Sequence, residues 1–481
     1  MDLRRETDIE QLRRIALVQQ TQIEQLIKVL SQKCRELSVL KGSEQELQQT
    51  LSLIEQLTTQ AQAAKDKTTS SSPAGARAAR KPRTQFGPSA QPLLQVDEKV
   101  FELDEPDRTC PSCGGRLEPM ADQFETSEMV DVVEVSYRLV KVKQQKYVCG
   151  CGGCVETAPG PERATAGSRY SLDFAIKVAI DKYLDHLPLA RQERILKRHD
   201  VQVTSQTLWD LTHALGTQLA RTHQALYEQA LSEPVIGLDQ TGWKRLDDKD
   251  GKPWQMWCIT TPKVVYHRIC DDKSAATFVD LVGDYEGAIV CDALKTHEAG
   301  AREGPGIVLA GCWAHVFRKF EEAEPDHPEA QVAMRLIGQL YEIDEKAGDD
   351  LVRKGELRRT ESVTVLDQLK SWLWSQAVLK TLTIGKAAAY TIANWERLTR
   401  FVDDPRIPLD NNATERGIRG PVVGRRNHFG SKSRCGTEVA SISYSLIETA
   451  KLNGADPARY LAQAVRAARM GEVLLPWQMT R

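Results

Sequence analysis

The strongest constraint on how this chain folds is a change of hydrophobic period after residue 233. Helical spacing gives way to short apolar runs rich in β-branched and aromatic residues, each closed by a polar or turn-forming residue, which is strand patterning. VIGLD after Pro234, WQMWCITT from Trp254 and VVYHRIC from Val264 read as three successive strands. SAATFVDLVGD from Ser274 reads as a helix, and GAIVCDA from Gly287 as a fourth strand. A long helical region then runs from Trp313 to about Val402, and after a Pro-containing loop a further helix starts at Asn411.

Three strands, a helix, a strand and a later helix follow the order of a ribonuclease H-like fold, here with a helical insertion at about 321–402. The order matters because of what closes the strands. Asp239 ends the first, after Val-Ile-Gly-Leu, and Asp292 ends the fourth, after Ala-Ile-Val-Cys. If those strands are neighbours in one sheet, their ends bring two carboxylates together. Glu415, on the helix that starts at Asn411, supplies a third. Two-metal phosphoryl transfer needs such a set, because several carboxylates must converge on two cations about 4 Å apart. Magnesium prefers oxygen ligands and keeps some of its waters, so a few acids suffice, and manganese is the alternative ion. Each acid also has an ordinary explanation, since an Asp at a strand end commonly caps a turn and a Glu beside an Arg commonly pairs with it. Their joint placement is what points to chemistry.

Glu415 opens a stretch with no further acid until Glu438. Within it stand Arg416, Arg419, Arg425, Arg426, Lys432 and Arg434, a local positive field in a chain whose formal net charge is -2. Arginine's planar fork suits phosphate, so these six are the candidate DNA-backbone contacts. His315 is a candidate neighbour of the same site or, equally, a buried histidine satisfied by the backbone.

The remainder is modular. Length alone, 481 residues, calls for roughly three domains. From Ile9 to Ile54 the heptad a and d positions are apolar except Gln19, Lys33 and Glu44, which predicts a coiled coil over 1–60. Residues 61–97, rich in Ala, Ser, Pro, Lys and Arg, read as a disordered basic linker. Five of the eleven cysteines crowd between 110 and 154. Cys110-Pro-Ser-Cys113-Gly-Gly is a zinc knuckle in form, and Cys149, Cys151 and Cys154 offer the other half, so four of five would hold a structural Zn2+ in a module spanning 98–165. In 166–230, LARQERILKRHD after Pro188 and SQTLWDLTHAL after Thr204 form a helix-turn-helix-like, DNA-binding-like pair. Thr204 or Ser205 caps the second helix. No apolar run approaches the roughly 20 residues of a membrane span, and the N-terminus lacks an apolar signal core. The expected address is cytoplasmic.

Four stretches resemble the large transposase of the insertion sequence 66 family: GLDQTGWK from Gly237, IVCDA from Ile289, GCWAHVFRKF from Gly311, and DNNATERGIRGPVVGRRNHFGS from Asp410. The resemblance covers nearly the whole chain. It implies a DDE-type triad falling on Asp239, Asp292 and Glu415, cleavage at element ends, joining of the 3′-OH to target DNA, and accessory proteins encoded by the same element. It departs after the fourth strand, where the family commonly has Asp, Gly and an aromatic, and this chain has Asp292-Ala-Leu-Lys-Thr-His297. The expected architecture is multidomain α/β, with the catalytic domain over 231–455, a C-terminal tail over 456–481, and a homo-oligomer formed through the coiled coil. Two other readings fit parts of the pattern: a zinc-containing DNA-binding regulator with an inactive nuclease fold, and a ribonuclease H-like nuclease that cuts without joining.

Overall fold

The computed structural model describes residues 104, 112–116, 136–148, 155–248, 254–303, 306–379 and 381–479. The expected coiled coil, the basic linker and four of the five clustered cysteines lie outside them. Contacts divide the chain into two compact units, 1–133 and 134–481. In the first unit, Cys113 is exposed and followed by Gly114 at φ +73°, the left-handed turn that a knuckle glycine permits.

The second unit begins with an antiparallel pair, β1 (Lys146–Val148) and β2 (Val155–Thr157), in register Lys146↔Thr157. The connecting residues 149–154 carry Cys149, Cys151 and Cys154 and are not among those described. Three helices follow: α1 (Leu172–Tyr183), α2 (Leu189–Arg198) and α3 (Ser205–Leu231). Thr204 caps α3 by accepting from Thr207 N. Val178, Leu196 and Leu208 form a small core among the three. Farther along α3, Leu211, Leu215, Leu219 and Leu226 enter the main core.

The sheet has five strands: β3 (Val235–Trp243), β4 (Trp254–Thr260), β5 (Val265–Cys270), β6 (Ala288–Val290) and β7 (Val308–Ala310). Helices α4 (Ala275–Val282) and α5 (Lys295–Glu303) flank β6 in sequence. Strand order is β5-β4-β3-β6-β7, antiparallel between β3 and β4 and between β4 and β5, and parallel between β3 and β6 and between β6 and β7. The period of two decides which side chains meet which layer. Ile236, Leu238, Ile289 and Cys291 join the main core, whereas Ala288 and Val290 join a second core on the opposite face. The residues two beyond Gly237 and Val290 are Asp239 and Asp292.

The second core belongs mainly to a helical layer: α6 (Trp313–Ala323), α7 (Ala330–Ala347), α8 (Leu351–Leu357), α9 (Val363–Ala377), α10 (Thr383–Ala393) and α11 (Trp395–Thr399). The chain returns to the sheet in α12 (Asn412–His428), then α13 (Arg434–Leu452) and α14 (Pro457–Arg469). Residues 456–481, read from sequence only as a tail, hold α14, whose Tyr460, Leu461, Ala464 and Val465 are buried in the main core. Among the described residues no helix is long and apolar enough to cross a membrane.

Strand β5 is a sheet edge, and α13 closes it with hydroxyls. Ser441, Ser445 and Thr449, spaced four apart, accept from Ile269 N (3.1 Å), His267 N (2.7 Å) and Val265 N (3.1 Å). The unpaired ladder groups of the edge are thereby covered and satisfied.

Candidate active site

Asp239 does not end its strand as the sequence suggests: β3 runs on to Trp243 because Gln240 to Trp243 keep pairing with β4, so the acid sits mid-strand, level with Asp292 just past the end of β6. The last pair of the parallel β3–β6 ladder is Gly237↔Val290, so each acid stands two residues past it, on the face of the second core. Parallel neighbours run about 4.8 Å apart. Asp292 lies beyond the end of β6, with its Oδ1 buried and without a hydrogen-bond partner. Asp239 Oδ1 accepts from Gln240 N at 2.7 Å.

Glu415 arrives on the first turn of α12, which is fastened to the same strand. Asn411 Nδ2 donates to Leu238 O at 2.9 Å, and the Thr414 and Thr260 hydroxyls bond to each other at 2.5 Å. Gly237 makes the approach possible, because a Cβ there would lie 2.2 Å from Thr414 Oγ1 and 2.8 Å from Asn411 Oδ1. Asp239 registers the result. Burial, then the negative charges of Asp292 and Glu415, push its carboxyl up to about 6 against the pull of the Gln240 N–H.

Cations and histidines surround the acids. Both Glu415 oxygens accept from Arg318 Nη2, at 2.8 and 2.6 Å, and His315 Nε2 lies 3.8 Å from Glu415 Oε1. His297 on α5 is fully buried; its Nε2 meets Gln240 Oε1 at 3.1 Å, and its Nδ1 lies 3.4 Å from Asp292 Oδ1 without bonding to it. Burial holds this imidazole below its ordinary pKa, with the charge of Asp292 opposing. Arg397 on α11 ties the insertion to the end of β6, donating from Nη2 to Asp292 O (3.2 Å) and from Nη1 to Glu298 Oε1 (3.1 Å).

A divalent cation fits the donor set. An orphaned buried carboxylate oxygen and a neighbour pushed towards protonation are both relieved by positive charge. As the side chains stand, no three His, Cys, Asp or Glu among the described residues are disposed to grip one ion. Arg318, rather than an acid, engages both oxygens of Glu415.

The six candidate DNA contacts separate. Arg416, Arg419 and Arg426 are exposed along one stripe of α12, and among the described residues no carboxylate pairs with them. Arg425 is half-buried and donates to Thr241 Oγ1 at 3.1 Å. Lys432 is exposed on the segment that bridges to β3's continuation, where Asp247 N donates to its carbonyl at 3.1 Å. Arg434 stands apart, over the Trp254 ring at 5.6 Å and 4.0 Å from Asp271.

Residues 167–439 match the pattern described as "Transposase IS66 family", more than half of the chain. The chain belongs to that family. Residues 107–152 match the zinc-finger binding domain of transposase IS66, which covers Cys110, Cys113, Cys149 and Cys151 and stops two residues before Cys154. A zinc-binding domain and a transposase domain therefore make up most of this IS66 family chain, and both imply contact with DNA. Two uncharacterized proteins of Sinorhizobium fredii (strain NBRC 101917 / NGR234) are similar over most of their length. y4jD is 29% identical over 406 residues, covering 77% of this chain and 78% of that protein. y4qI is 28% identical over 433 residues, covering 84% and 79%.

Sequence reasoning missed four residues around the acids of this IS66 family member. His297 and Gln240 carry no spacing signal, since they meet only through the β3–β6 pairing. Arg397 lies 105 residues from Asp292. Arg318 had a signal: it follows His315 by three on one helix, so one face of α6 delivers both to Glu415.

Proposed function

We propose that this chain is a DDE-type transposase that cuts the ends of its element and joins the freed 3′-OH to target DNA, with Asp239, Asp292 and Glu415 as its catalytic acids. One observation carries the reading: two carboxylates stand two residues past the last pairing of adjacent parallel strands, and one of them keeps a buried, unbonded oxygen. The frame we assign to the site is a ribonuclease H-like domain over about 231–455, with a helical insertion at about 321–402. A cytoplasmic address belongs to the same reading.

Two divalent cations, magnesium or manganese, supply an activated attacking oxygen and stabilise the leaving oxygen when bound. The chain's own part is to hold and orient. Asp239 offers its oxygens from the middle of β3 and Asp292 from just past the end of β6, and Glu415 completes the set once Arg318 releases it. His297, packed between Gln240 and Asp292, links the middle of β3 to the segment after β6, and Arg397 braces that segment. In-line attack by water frees a 3′-OH, which the same site then presents to target DNA, so no covalent bond to a side chain is needed. Arg416, Arg419, Arg425, Arg426, Lys432 and Arg434 are the proposed phosphate contacts, with Arg416 and Arg419 nearest Glu415 along α12 and Arg434 apart from the stripe. Cys110 and Cys113, with two of Cys149, Cys151 and Cys154, hold a structural zinc. Self-association through 1–60 and accessory proteins of the same element complete the set of partners.

Replacing Glu415 by Gln tests the reading with little change of shape. E415Q should abolish strand transfer in a joining assay while its affinity for element ends stays within about twofold. Undiminished joining removes Glu415 from the site. Cleavage without joining by the wild type favours a simple nuclease, and binding without either reaction favours a regulator.

A further inference from the structure

Phe429 ends α12 in a conformation that disfavours it. Its φ of +64° is left-handed, the helix-end geometry that glycine adopts freely, and a β-carbon there costs on the order of 1 kcal/mol. The ring returns nothing to the core, because the residue is 66% exposed. Its neighbours, by contrast, are bolted down. Phe429 N donates to Arg425 O at 2.8 Å, His428 reaches Gly430 O and the Tyr444 hydroxyl, and Ser431 N donates to Lys244 O at 2.9 Å. Gly430 lies so close to the β3 extension that a Cβ would come within 2.1 Å of Lys244 O. An aromatic ring is thus held out from a rigid base at the end of a cationic stripe.

We infer that Phe429 is a stacking platform for an unpaired nucleobase of the DNA held along α12. This rests on the reading of the chain as a DNA-processing enzyme. The charge around the ring selects the partner, since exposed Arg426 lies three residues before it, exposed Lys432 three after, and exposed Arg416 and Arg419 on the same helix. Phosphates tracked by such a stripe bring bases within reach, and every base presents a face that an aromatic side chain stacks on. Strained, exposed residues on rigid supports are where proteins keep contacts of this kind. From Glu415 to Phe429 the helix rises roughly 20 Å, so the base engaged lies about six nucleotides from the reacting phosphate.

The test separates stacking from phosphate binding in the full-length protein. Three labelled DNAs are compared by fluorescence anisotropy: a blunt duplex, the same duplex with a single-stranded 3′ extension of about eight nucleotides, and that extension built from abasic units. The wild type should prefer the base-bearing extension over the abasic one by roughly tenfold. F429A and F429G should lose that preference while binding the blunt duplex as the wild type does, and F429W should keep it. F429G should also melt about 2 °C above the wild type, because glycine relieves the left-handed strain. Equal affinity of the wild type for the two extensions overturns the inference and leaves the DNA reading standing, as does a preference that survives in F429A. A lower melting temperature for F429G also overturns it, since the ring would then be held for packing. No binding to any of the three DNAs fails the reading itself.

Discussion

At Asp239, burial and two neighbouring negative charges act against ionisation, so this carboxylate, once ionised, makes the metal-free protein less stable. Its carboxyl is raised from 3.8 to about 6. A folded pKa above the unfolded one means that protonation favours the native state. The contribution is complete below about 4 and is lost as pH rises through about 6. At pH 8 without metal, ionised Asp239 therefore costs the fold about 2–3 kcal/mol. Asp239→Asn removes the charge and keeps the shape. It should raise the midpoint of urea unfolding in a chelator at pH 8, lose all strand transfer, and differ less from the wild type as pH falls from 6 towards 4. A D239N protein less stable than the wild type at pH 8 would mean that the three acids do not repel one another as described. This residue was visible in the sequence as an acid after an apolar run, although β3 continues past it to Trp243. The cause of its discomfort was not, because it depends on Asp292 and Glu415, 53 and 176 positions away.

Among the elements, α12 is the one that local propensity argues against. Gly417, Gly420, Pro421 and Gly424 fall within eight residues, and proline inside a helix removes a hydrogen bond. The helix persists because packing asks for those residues. A Cβ on Gly417 would lie 2.9 Å from Val265 Cγ1, and one on Gly424 would lie 2.1 Å from the Tyr444 hydroxyl. Pro421 cannot donate to Gly417 O, and buried His267 of β5 takes over, with Nε2 3.1 Å from that carbonyl. Burial holds His267 neutral, its pKa down to about 3. His267→Ala should cost about 2–4 kcal/mol, combining an unsatisfied carbonyl with a cavity. In a Pro421→Ala background the restored N–H satisfies Gly417 O, so the same substitution should cost about 1 kcal/mol less in urea titrations. Additive losses would show that His267 serves only as packing. The same competition between local and distant forces sets what the sequence reveals. Strands β3 to β6 were legible as apolar runs closed by polar or turn-forming residues, whereas β7, as short as β6, runs into Gly311-Cys312-Trp313 with no polar residue to close it. The adjacency of β3 and β6 and the hydroxyls of α13 that close β5 are long-range events, written in residues that look ordinary in their own segments.

On the scale of the whole molecule, the five-stranded sheet carries a helical layer with a core of its own. The contacts point to bracing. Arg397 and Arg400 of the insertion donate to Asp292 O just past β6 and to Leu309 O within β7. Arg358, 1% exposed, pairs with Asp344 and donates to Phe401 O (2.8 Å) and Ile407 O (2.9 Å). Those carbonyls belong to the return from the insertion, which runs straight into Asn411 and the helix bearing Glu415. A buried guanidinium with a carboxylate and three carbonyls, Asp404 O at 3.3 Å being the third, is well satisfied, and truncating it strands Asp344. Arg358→Ala should therefore cost about 3–5 kcal/mol. If the insertion serves mainly to aim Glu415, that variant should lose more than tenfold in strand transfer at a temperature where it remains folded, while binding DNA as the wild type does, because the Arg stripe of α12 is untouched. Both quantities can be read on one preparation, the first by a joining assay and the second by anisotropy. Full joining activity in a folded but destabilised R358A would show that the return loop does not position the helix. The bracing role of the insertion would then rest on Arg397 and Arg400 alone.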